Sequence, residues 1–240
     1  MSTAQKAPEA GFFRPKAVIF DMDGLMLDSE RLSLEFRRRI HEARGLPFEN
    51  LLPYTMGRNT EAARPIYLAH YGQDYPFEEI RAEIGEMWSR YLRENPVPVK
   101  PGLFPLLDYL RGRGIPAAVA TSTSRESALP KLEKAGIAPY LTAMVFGDMV
   151  KRSKPEPDIF LTAAARLGED PAGCMVLEDS PNGILAARRA GMAPVMVPDT
   201  VQPDEATKKL LYGCVERLDQ VITLMEEMED EHGVERKPRI

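Results

Sequence analysis

The sequence has few cysteines, no excess of basic residues and no long apolar run. Its two cysteines, Cys174 and Cys214, form no CxxC motif, which excludes a disulfide framework and predicts buried free thiols in a reducing compartment. A formal net charge of −5 argues against nucleic acid as a partner, because proteins that bind polyanions usually carry a basic face. No apolar run is long enough to span a bilayer, and residues 1–15 lack the apolar segment of a signal peptide. We therefore expect a cytoplasmic protein with no membrane partner, and a monomer by default.

Short apolar segments supply the candidate strands. None of them alternates polar with apolar residues: AVIF (17–20), IPAAVAT (115–121), AMVFG (143–147), CMVLE (174–178) and APVMV (193–197). Strands that are apolar on both faces are typical of a parallel sheet with helices on both sides. Helical patterns lie between them, as in SPNGILAARRAG, where Ser180 suits the N-cap and Gly191 the stop. This alternation predicts a doubly wound, Rossmann-like α/β fold with a parallel sheet of five or more strands.

The alternation is interrupted once, between the first and second candidate strands. The intervening segment contains no strand-like run, and FEEIRAEIGEMWSRYL places its apolar side chains on one helical face. NPVPVKPG (95–102) then has the composition of a stiff return linker. The densely charged C-terminus predicts a flexible or solvated tail, and we expect the same of the N-terminus. The predicted parts are an α/β core at 15–28 and 97–225, a helical insertion at 29–96, and tails at 1–14 and 226–240.

Polar side chains follow the candidate strands at their carboxyl ends, where ligands bind in open parallel sheets. They comprise four carboxylates, two hydroxyls and a lysine: Asp21, Asp23, Glu178 and Asp179, then Thr121 and Ser122, then Lys154. Residues i and i+2 of an extended chain point the same way, so Asp21 and Asp23 can share one small volume. Lys151 and Arg152, in the loop that carries Lys154, are expected to be solvated.

This collection of acids needs a cation to offset its mutual repulsion. Oxygen ligands with no nearby histidine or cysteine suit Mg²⁺ rather than zinc. Mg²⁺ usually takes one or two protein carboxylates together with water and a substrate phosphate. Together with Lys154 it would create a pocket that attracts a phosphoryl group and favours phosphoryl transfer. The sequence therefore predicts a magnesium site that acts on a small phosphorylated metabolite.

Chemical roles follow from the residue types. An aspartate can attack phosphorus and form an aspartyl-phosphate, which splits one hard step into two easier ones. A second acid two residues further on can protonate the leaving oxygen and later take a proton from water, provided that its surroundings raise its pKa while the first acid stays ionised. Thr121 and the backbone amide of Ser122 can donate hydrogen bonds to phosphoryl oxygens.

Four ordered segments carry a family resemblance: DMDGLMLDS, ATSTS, KPEPDIF and LEDSPNGILAARRAGM. Together they resemble the motifs of the haloacid dehalogenase superfamily, in the branch with a helical cap inserted after the first motif. That branch contains phosphatases of small phosphate esters and β-phosphoglucomutase-like proteins. The resemblance implies that Asp21 is the nucleophile and a magnesium ligand, and that Asp23 is the general acid/base and offers a backbone carbonyl to the metal. It further implies that Thr121 binds phosphate, Lys154 balances charge, and Asp179 completes the metal site with support from Glu178, directly or through water.

The position of the cap residues leaves two alternatives open. Gly57 and Arg58, in YTMGRNTEAA, either face the active site as a substrate-binding loop or form a plain turn at the start of a helix. Substrate identity depends on such residues, so a sugar phosphate, a nucleotide and a phosphoglycolate-like acid all stay open.

The leading functional prediction is a Mg²⁺-dependent phosphatase whose cap closes over a small phosphomonoester. The main alternative is a phosphomutase. The resemblance disfavours it, because β-phosphoglucomutase has a histidine on the first cap helix where this chain has Ser33, and its cap arginine is shifted relative to Arg58. A haloacid dehalogenase needs no acid at Asp23, which counts against that activity. A non-catalytic binding protein would be expected to have lost one of the acids or the lysine. All of them are present, which counts against that alternative.

Overall fold

The computed structural model describes the backbone of residues 14–234 and the side chains of residues 14–227. The predicted tail at 1–14 lies, except for Arg14, outside the described residues, as does the end of the predicted tail at 226–240. The first part of that C-terminal tail continues the last helix, α10 (Gln220–Val234). Among the described residues no helix combines the length and the apolar character that crossing a membrane would take.

The described strands form one parallel sheet. They are β1 (Ala17–Phe20), β2 (Ala117–Ala120), β3 (Ala143–Val145), β4 (Cys174–Glu178), β5 (Ala193–Met196) and β6 (Gly213–Cys214). Their spatial order is β3-β2-β1-β4-β5-β6, and every neighbouring pair is parallel. The predicted α/β class and all five predicted strands are confirmed. The sixth strand, β6, was not predicted because two residues form no apolar run.

Both faces of the sheet are covered by helices, which explains the apolar strands. Alternate residues of β1 enter different cores: Val18 and Phe20 join one cluster, and Ala17 and Ile19 join the other. The first cluster packs on α5 (Leu103–Gly112), α6 (Arg125–Lys134) and α10, and the second packs on α7 (Asp158–Leu167) and α8 (Pro181–Arg189). A short helix, α9 (Glu205–Lys208), precedes β6. Both cysteines are free as expected, but only Cys174 is buried, since Cys214 lies on the short strand β6 at the sheet edge.

Of the described helices between β1 and β2, four lie in the segment predicted as an insertion and called the cap (residues 29–96) below. They are α1 (Ser29–Arg44), α2 (Leu52–Thr55), α3 (Thr60–Tyr71) and α4 (Phe77–Glu94). The cap has an apolar cluster of its own that includes Ile40, Tyr67 and Ile80. A separate core of this kind is the physical basis for treating the cap as a unit distinct from the sheet.

The two linkers between core and cap run side by side. Leu27 and Val99 form an isolated antiparallel bridge. The Asp28 amide donates to the Pro98 carbonyl at 2.9 Å, and the Lys100 amide donates to the Met26 carbonyl at 2.9 Å. The linkers therefore leave and re-enter the core at one place, next to the carboxyl end of β1, and hold the cap over that edge of the sheet.

Candidate active site

Asp21 is the first residue after β1 and lies at the centre of the site. Its backbone amide donates to the Leu177 carbonyl on β4 at 3.0 Å, which fixes the chain where the strand ends. The side chain is buried, and its Oδ1 accepts a hydrogen bond from Lys154. Burial raises the pKa of Asp21 to about 7, although the Lys154 ammonium opposes that rise. The carboxylate is therefore much more basic than an exposed aspartate.

Lys154 is fully buried and lies between two acids. Its Nζ donates to Asp21 Oδ1, to Glu178 Oε1 at 2.7 Å and to the Ala120 carbonyl at 3.2 Å. Burial alone would lower the pKa of Lys154, but the carboxylates of Asp21 and Glu178 raise it above its ordinary value. The lysine therefore carries a fixed positive charge at neutral pH. In the same loop, Lys151 and Arg152 are exposed.

Glu178 and Asp179 follow one another at the end of β4, but their surroundings differ. Glu178 Oε2 accepts from the Ser180 amide at 2.7 Å and from Ser180 Oγ at 2.9 Å, and its Oε1 binds Lys154, so both oxygens are used. Ser180 Oγ also accepts from the Gly183 amide at 3.1 Å, as the predicted N-cap of α8. Asp179 is buried, and its Oδ2 has no hydrogen-bond partner among the described residues. Burial, followed by the nearby carboxylates, raises the pKa of Asp179 well above its usual range.

The acids at this edge fit a divalent cation. One carboxylate oxygen from each of Asp21, Glu178 and Asp179 lies within 4.8 Å of the others. The unpartnered Asp179 Oδ2 is an orphaned buried acceptor of the kind that a cation would satisfy, and an all-oxygen donor set suits Mg²⁺. Gly24 approaches the same oxygen with φ +85°, and a Cβ there would lie 2.2 Å from Asp179 Oδ2. Only glycine leaves that space open.

Asp23 is held by several donors on the cavity side of Asp21. Thr123 Oγ1 donates to its Oδ2 at 2.6 Å, and Ser29 Oγ donates to its Oδ1. Lys131 Nζ lies 3.7 Å from Oδ1 and Thr121 Oγ1 lies 3.5 Å from Oδ2. Burial alone would raise the pKa of Asp23, but the Lys131 ammonium and the two hydroxyl donors bring it below its ordinary value. The pKa values of the two aspartates are therefore shifted in opposite directions, upward for Asp21 and downward for Asp23, which is the reverse of the order expected for a nucleophile followed by an acid.

The loop between α2 and α3 of the cap docks on the core. Ser122 Oγ donates to the Gly57 carbonyl at 2.6 Å, and Asn182 Nδ2 donates to the Met56 carbonyl at 2.9 Å. Gly57 has φ +72°, and a Cβ there would lie 2.7 Å from Ser180 Oγ. This close approach explains the glycine and gives the Ser122 side chain a contact that the sequence did not suggest.

A cavity of about 290 Å³ separates the core from the cap. The core lines it with Asp21, Asp23, Thr121 and Ser122, and the cap lines it with Gly57, Arg58 and Arg37 among others. Arg58 Nε is buried and has no hydrogen-bond partner in the described part of the chain. Gly57 and Arg58 thus line the cavity and also form the turn that leads into α3.

Four residues near Asp23 were missed in the sequence: Ser29, Glu30, Thr123 and Lys131. Glu30 ends the acidic stretch after β1 and lines the cavity, and its Oε2 is buried without a partner among the described residues. Burial and then the charge of Asp23 raise the pKa of Glu30 to about 9. Ser29 and Thr123 lie within the quoted motifs DMDGLMLDS and ATSTS, which was a usable signal. Lys131 offered none, because it lies in a charged helix well past the second motif.

Known proteins are similar to this chain over most of its length. The model of the haloacid dehalogenase-like hydrolases matches residues 15–191. A phosphorylated carbohydrates phosphatase of Thermotoga maritima is 36% identical over 182 residues, covering 74% of this chain and 82% of that protein. Hexitol phosphatase A of Escherichia coli is 33% identical over 189 residues, covering 77% of this chain and 83% of that protein.

The fold is also found among solved structures. A crystal structure of beta-phosphoglucomutase from Clostridium difficile superposes with a TM-score of 0.73 and covers 92% of this chain and 99% of that one. At 21% identity, this likeness concerns the fold. The family model, in contrast, spans the first candidate strand through α8, and with it every motif that supplies the site. The chain belongs to the haloacid dehalogenase-like hydrolases.

Proposed function

We propose that the protein is a Mg²⁺-dependent phosphatase that hydrolyses a small phosphomonoester, such as a sugar phosphate, through an aspartyl-phosphate. The observation that carries this proposal is the placement of Asp21. Its carboxylate touches the buried Lys154, shares a small volume with two further acids and opens onto the cavity under the cap. The relatives named as phosphatases of phosphorylated carbohydrates and hexitols support the same reaction class.

In the first step, an Asp21 oxygen attacks phosphorus. A bond forms between Asp21 and phosphorus while the bond to the leaving oxygen breaks, and Asp23 gives its proton to that oxygen. In the second step, water attacks phosphorus, Asp23 takes a proton from the water, and the bond to Asp21 breaks to release phosphate. The phosphoryl group is positioned by Lys154, by Thr121 and by the amide of Ser122.

The metal would be held by Asp21, by Asp179 and by the backbone carbonyl of Asp23. When bound, Mg²⁺ would supply positive charge that offsets the carboxylates and the phosphoryl oxygens. Glu178 already uses both oxygens in hydrogen bonds to Lys154 and Ser180, which favours a supporting position over a direct ligand.

Substrate choice is assigned to the cap. Gly57 brings the loop onto the core, and Arg58 presents an unpartnered Nε at the cavity. The cavity volume of about 290 Å³ suits a metabolite-sized ester. We expect a cytoplasmic monomer with no nucleic-acid or membrane partner.

A phosphomutase on the same fold is the second candidate, and the structure disfavours it at Ser33. The Ser33 hydroxyl accepts a hydrogen bond from Trp88 Nε1 at 2.9 Å and is thereby part of the packing between α1 and α4. Interconversion of hexose 1-phosphate and 6-phosphate with a bisphosphate primer would identify a mutase.

The phosphatase is tested with the variant Asp21→Asn. Hydrolysis of p-nitrophenyl phosphate should require Mg²⁺ and should fall at least about 10³-fold in the variant, because an amide cannot form the covalent intermediate. The exposed Asp74 on the cap supplies the matched control, Asp74→Asn, which should keep wild-type activity. Activity of Asp21→Asn within tenfold of wild type would refute the assignment of Asp21 as the nucleophile. A panel of phosphorylated metabolites would then identify the substrate.

A further inference from the structure

Lys131 is a buried lysine whose surroundings no sequence pattern predicted. It lies on α6 of the core, and only 6% of its side chain is exposed. Its Nζ lies 3.7 Å from Asp23 Oδ1 and 4.1 Å from the ring centroid of Trp88, which belongs to α4 of the cap. An ammonium is costly to bury without compensation, so this position requires both the carboxylate and the aromatic face.

Lys134, one turn further along α6, shows what an ordinary contact between core and cap looks like here. It is exposed and donates to the Leu92 carbonyl at the end of α4. It has no contact with Asp23. The two lysines therefore touch the same cap helix, but only Lys131 also reaches the acid that faces the cavity.

The donors around Asp23 come from three parts of the fold. Ser29 begins α1, Thr123 follows β2, and Lys131 comes from the middle of α6. Trp88 covers Lys131 from the cap and is itself fixed by its hydrogen bond to Ser33. Trp88 therefore shields the Lys131 ammonium, whereas 23% of the Asp23 side chain stays exposed at the cavity.

We propose that Lys131 is a positioning residue for acid/base catalysis: its ammonium, held between Asp23 and the Trp88 ring, fixes the Asp23 carboxyl group where it faces the leaving oxygen of the substrate. The inference rests on the proposed function, because it takes Asp23 as the acid. Lys131 does not act on the phosphoryl group itself, which is held by Lys154 and the end of β2. Its loss would also remove the charge that lowers the pKa of Asp23 and so would not hinder protonation of that acid. The expected harm to proton transfer therefore comes from a displaced carboxyl group.

The test varies the leaving group. Substituted phenyl phosphates from p-nitrophenyl to p-methoxyphenyl present the same phosphoryl group with leaving groups of increasing basicity, and basic leaving groups depend more on a proton donor. The quantity measured is kcat/KM, which reports the first chemical step. Lys131→Met should increase the ratio of p-nitrophenyl to p-methoxyphenyl reactivity at least about tenfold, and Lys131→Arg should restore much of the wild-type ratio.

The controls separate positioning from docking. Lys134→Met removes a contact with the cap and should leave the ratio unchanged. Asp23→Asn should increase the ratio by itself, and adding Lys131→Met to it should change the ratio no further. If Lys131→Met does not fold, as judged by its melting curve, Lys131→Gln keeps a polar group of similar length and should show the same increase.

The outcomes distinguish this inference from the proposed function. If Asp23→Asn leaves the ratio unchanged, the acid is wrongly assigned, and the positioning role falls with it. If Asp23→Asn increases the ratio but the Lys131 variants do not, or if they slow all substrates equally, the positioning role alone is overturned.

Discussion

Removal of the Lys154 ammonium should show how much the buried carboxylates destabilise the folded protein once their cation is gone. Lys154 is fully buried, donates to Glu178 Oε1 at 2.7 Å and contacts Asp21 Oδ1. Lys154→Met keeps similar length but leaves two buried carboxylates without their cation. Breaking a buried ion pair by removing one partner costs about 3–5 kcal/mol. For a chain of this size each kcal/mol lowers the melting temperature by about 2–4 °C, so a loss of roughly 6–20 °C is expected.

The assay is urea unfolding and calorimetry with and without Mg²⁺. The matched control is Lys151→Met, because Lys151 is exposed in the same loop and its removal should change stability by less than about 0.5 kcal/mol. Added Mg²⁺ should recover part of the lost stability, since the ion would offset the same carboxylates. A loss below about 1 kcal/mol, or an equal loss in the control, would contradict the buried-pair reasoning.

The pH dependence of the stability loss in Lys154→Met is an independent test of this explanation. Because the pKa of Lys154 is raised in the folded protein, its stabilisation is present below its unfolded pKa and is lost only at strongly alkaline pH. The pKa of Asp21 is raised to about 7, and without Lys154 it should rise further, so protonation relieves the unpaired acids. The destabilisation of Lys154→Met should therefore be smaller at pH 5.5 than at pH 8.

Two further substitutions probe the surroundings of the metal site. Glu30 has a pKa raised to about 9, so its ionisation opposes folding increasingly as pH rises from about 4.5 toward 9. Glu30→Gln should gain up to about 5 kcal/mol in unfolding free energy over wild type at pH 8 with EDTA, and little at pH 4.5. An equal difference at both pH values would contradict this. Gly183→Ala should lose about 3 kcal/mol in urea unfolding, because a Cβ would lie 1.8 Å from Glu178 Oε1. Gly85→Ala, in open space within α4, should instead gain up to about 1 kcal/mol, and similar effects at both glycines would refute the clash.

The core of the fold was predictable because its signals are local. The strands β1, β2, β4 and β5 are buried along their whole length, and β3 is half-buried before Val145, so burial by the sheet appears directly as apolar runs in the sequence. The edge strand β6 carries no such signal, because Gly213 and Cys214 are two residues paired only with β5. Its existence depends on the neighbouring strand and not on its own side chains.

The residues of the site likewise divide into those that the sequence indicates locally and those that only the folded structure brings into place. Asp21, Asp179 and Lys154 were predicted because strand ends in a parallel sheet meet at one edge, which the order of the motifs specifies. Lys131 was not, because it reaches Asp23 only through the packing of α6 against α4. Ser122 was expected to contact phosphate through its backbone amide. Its side chain donates to the Gly57 carbonyl, and only the docked cap determines that partner.

The charge at the site links catalysis to metal binding. Five carboxylates in the described chain meet around two buried lysines: Asp21, Asp23, Glu30, Glu178 and Asp179, with Lys131 and Lys154. The negative excess must be neutralised by protons or by a cation, and the raised pKa values of Asp21, Glu30 and Asp179 indicate protons when no cation is bound. A divalent ion would lower those pKa values and displace protons. An ion bound there would therefore also favour the ionised form of Asp21, the proposed nucleophile.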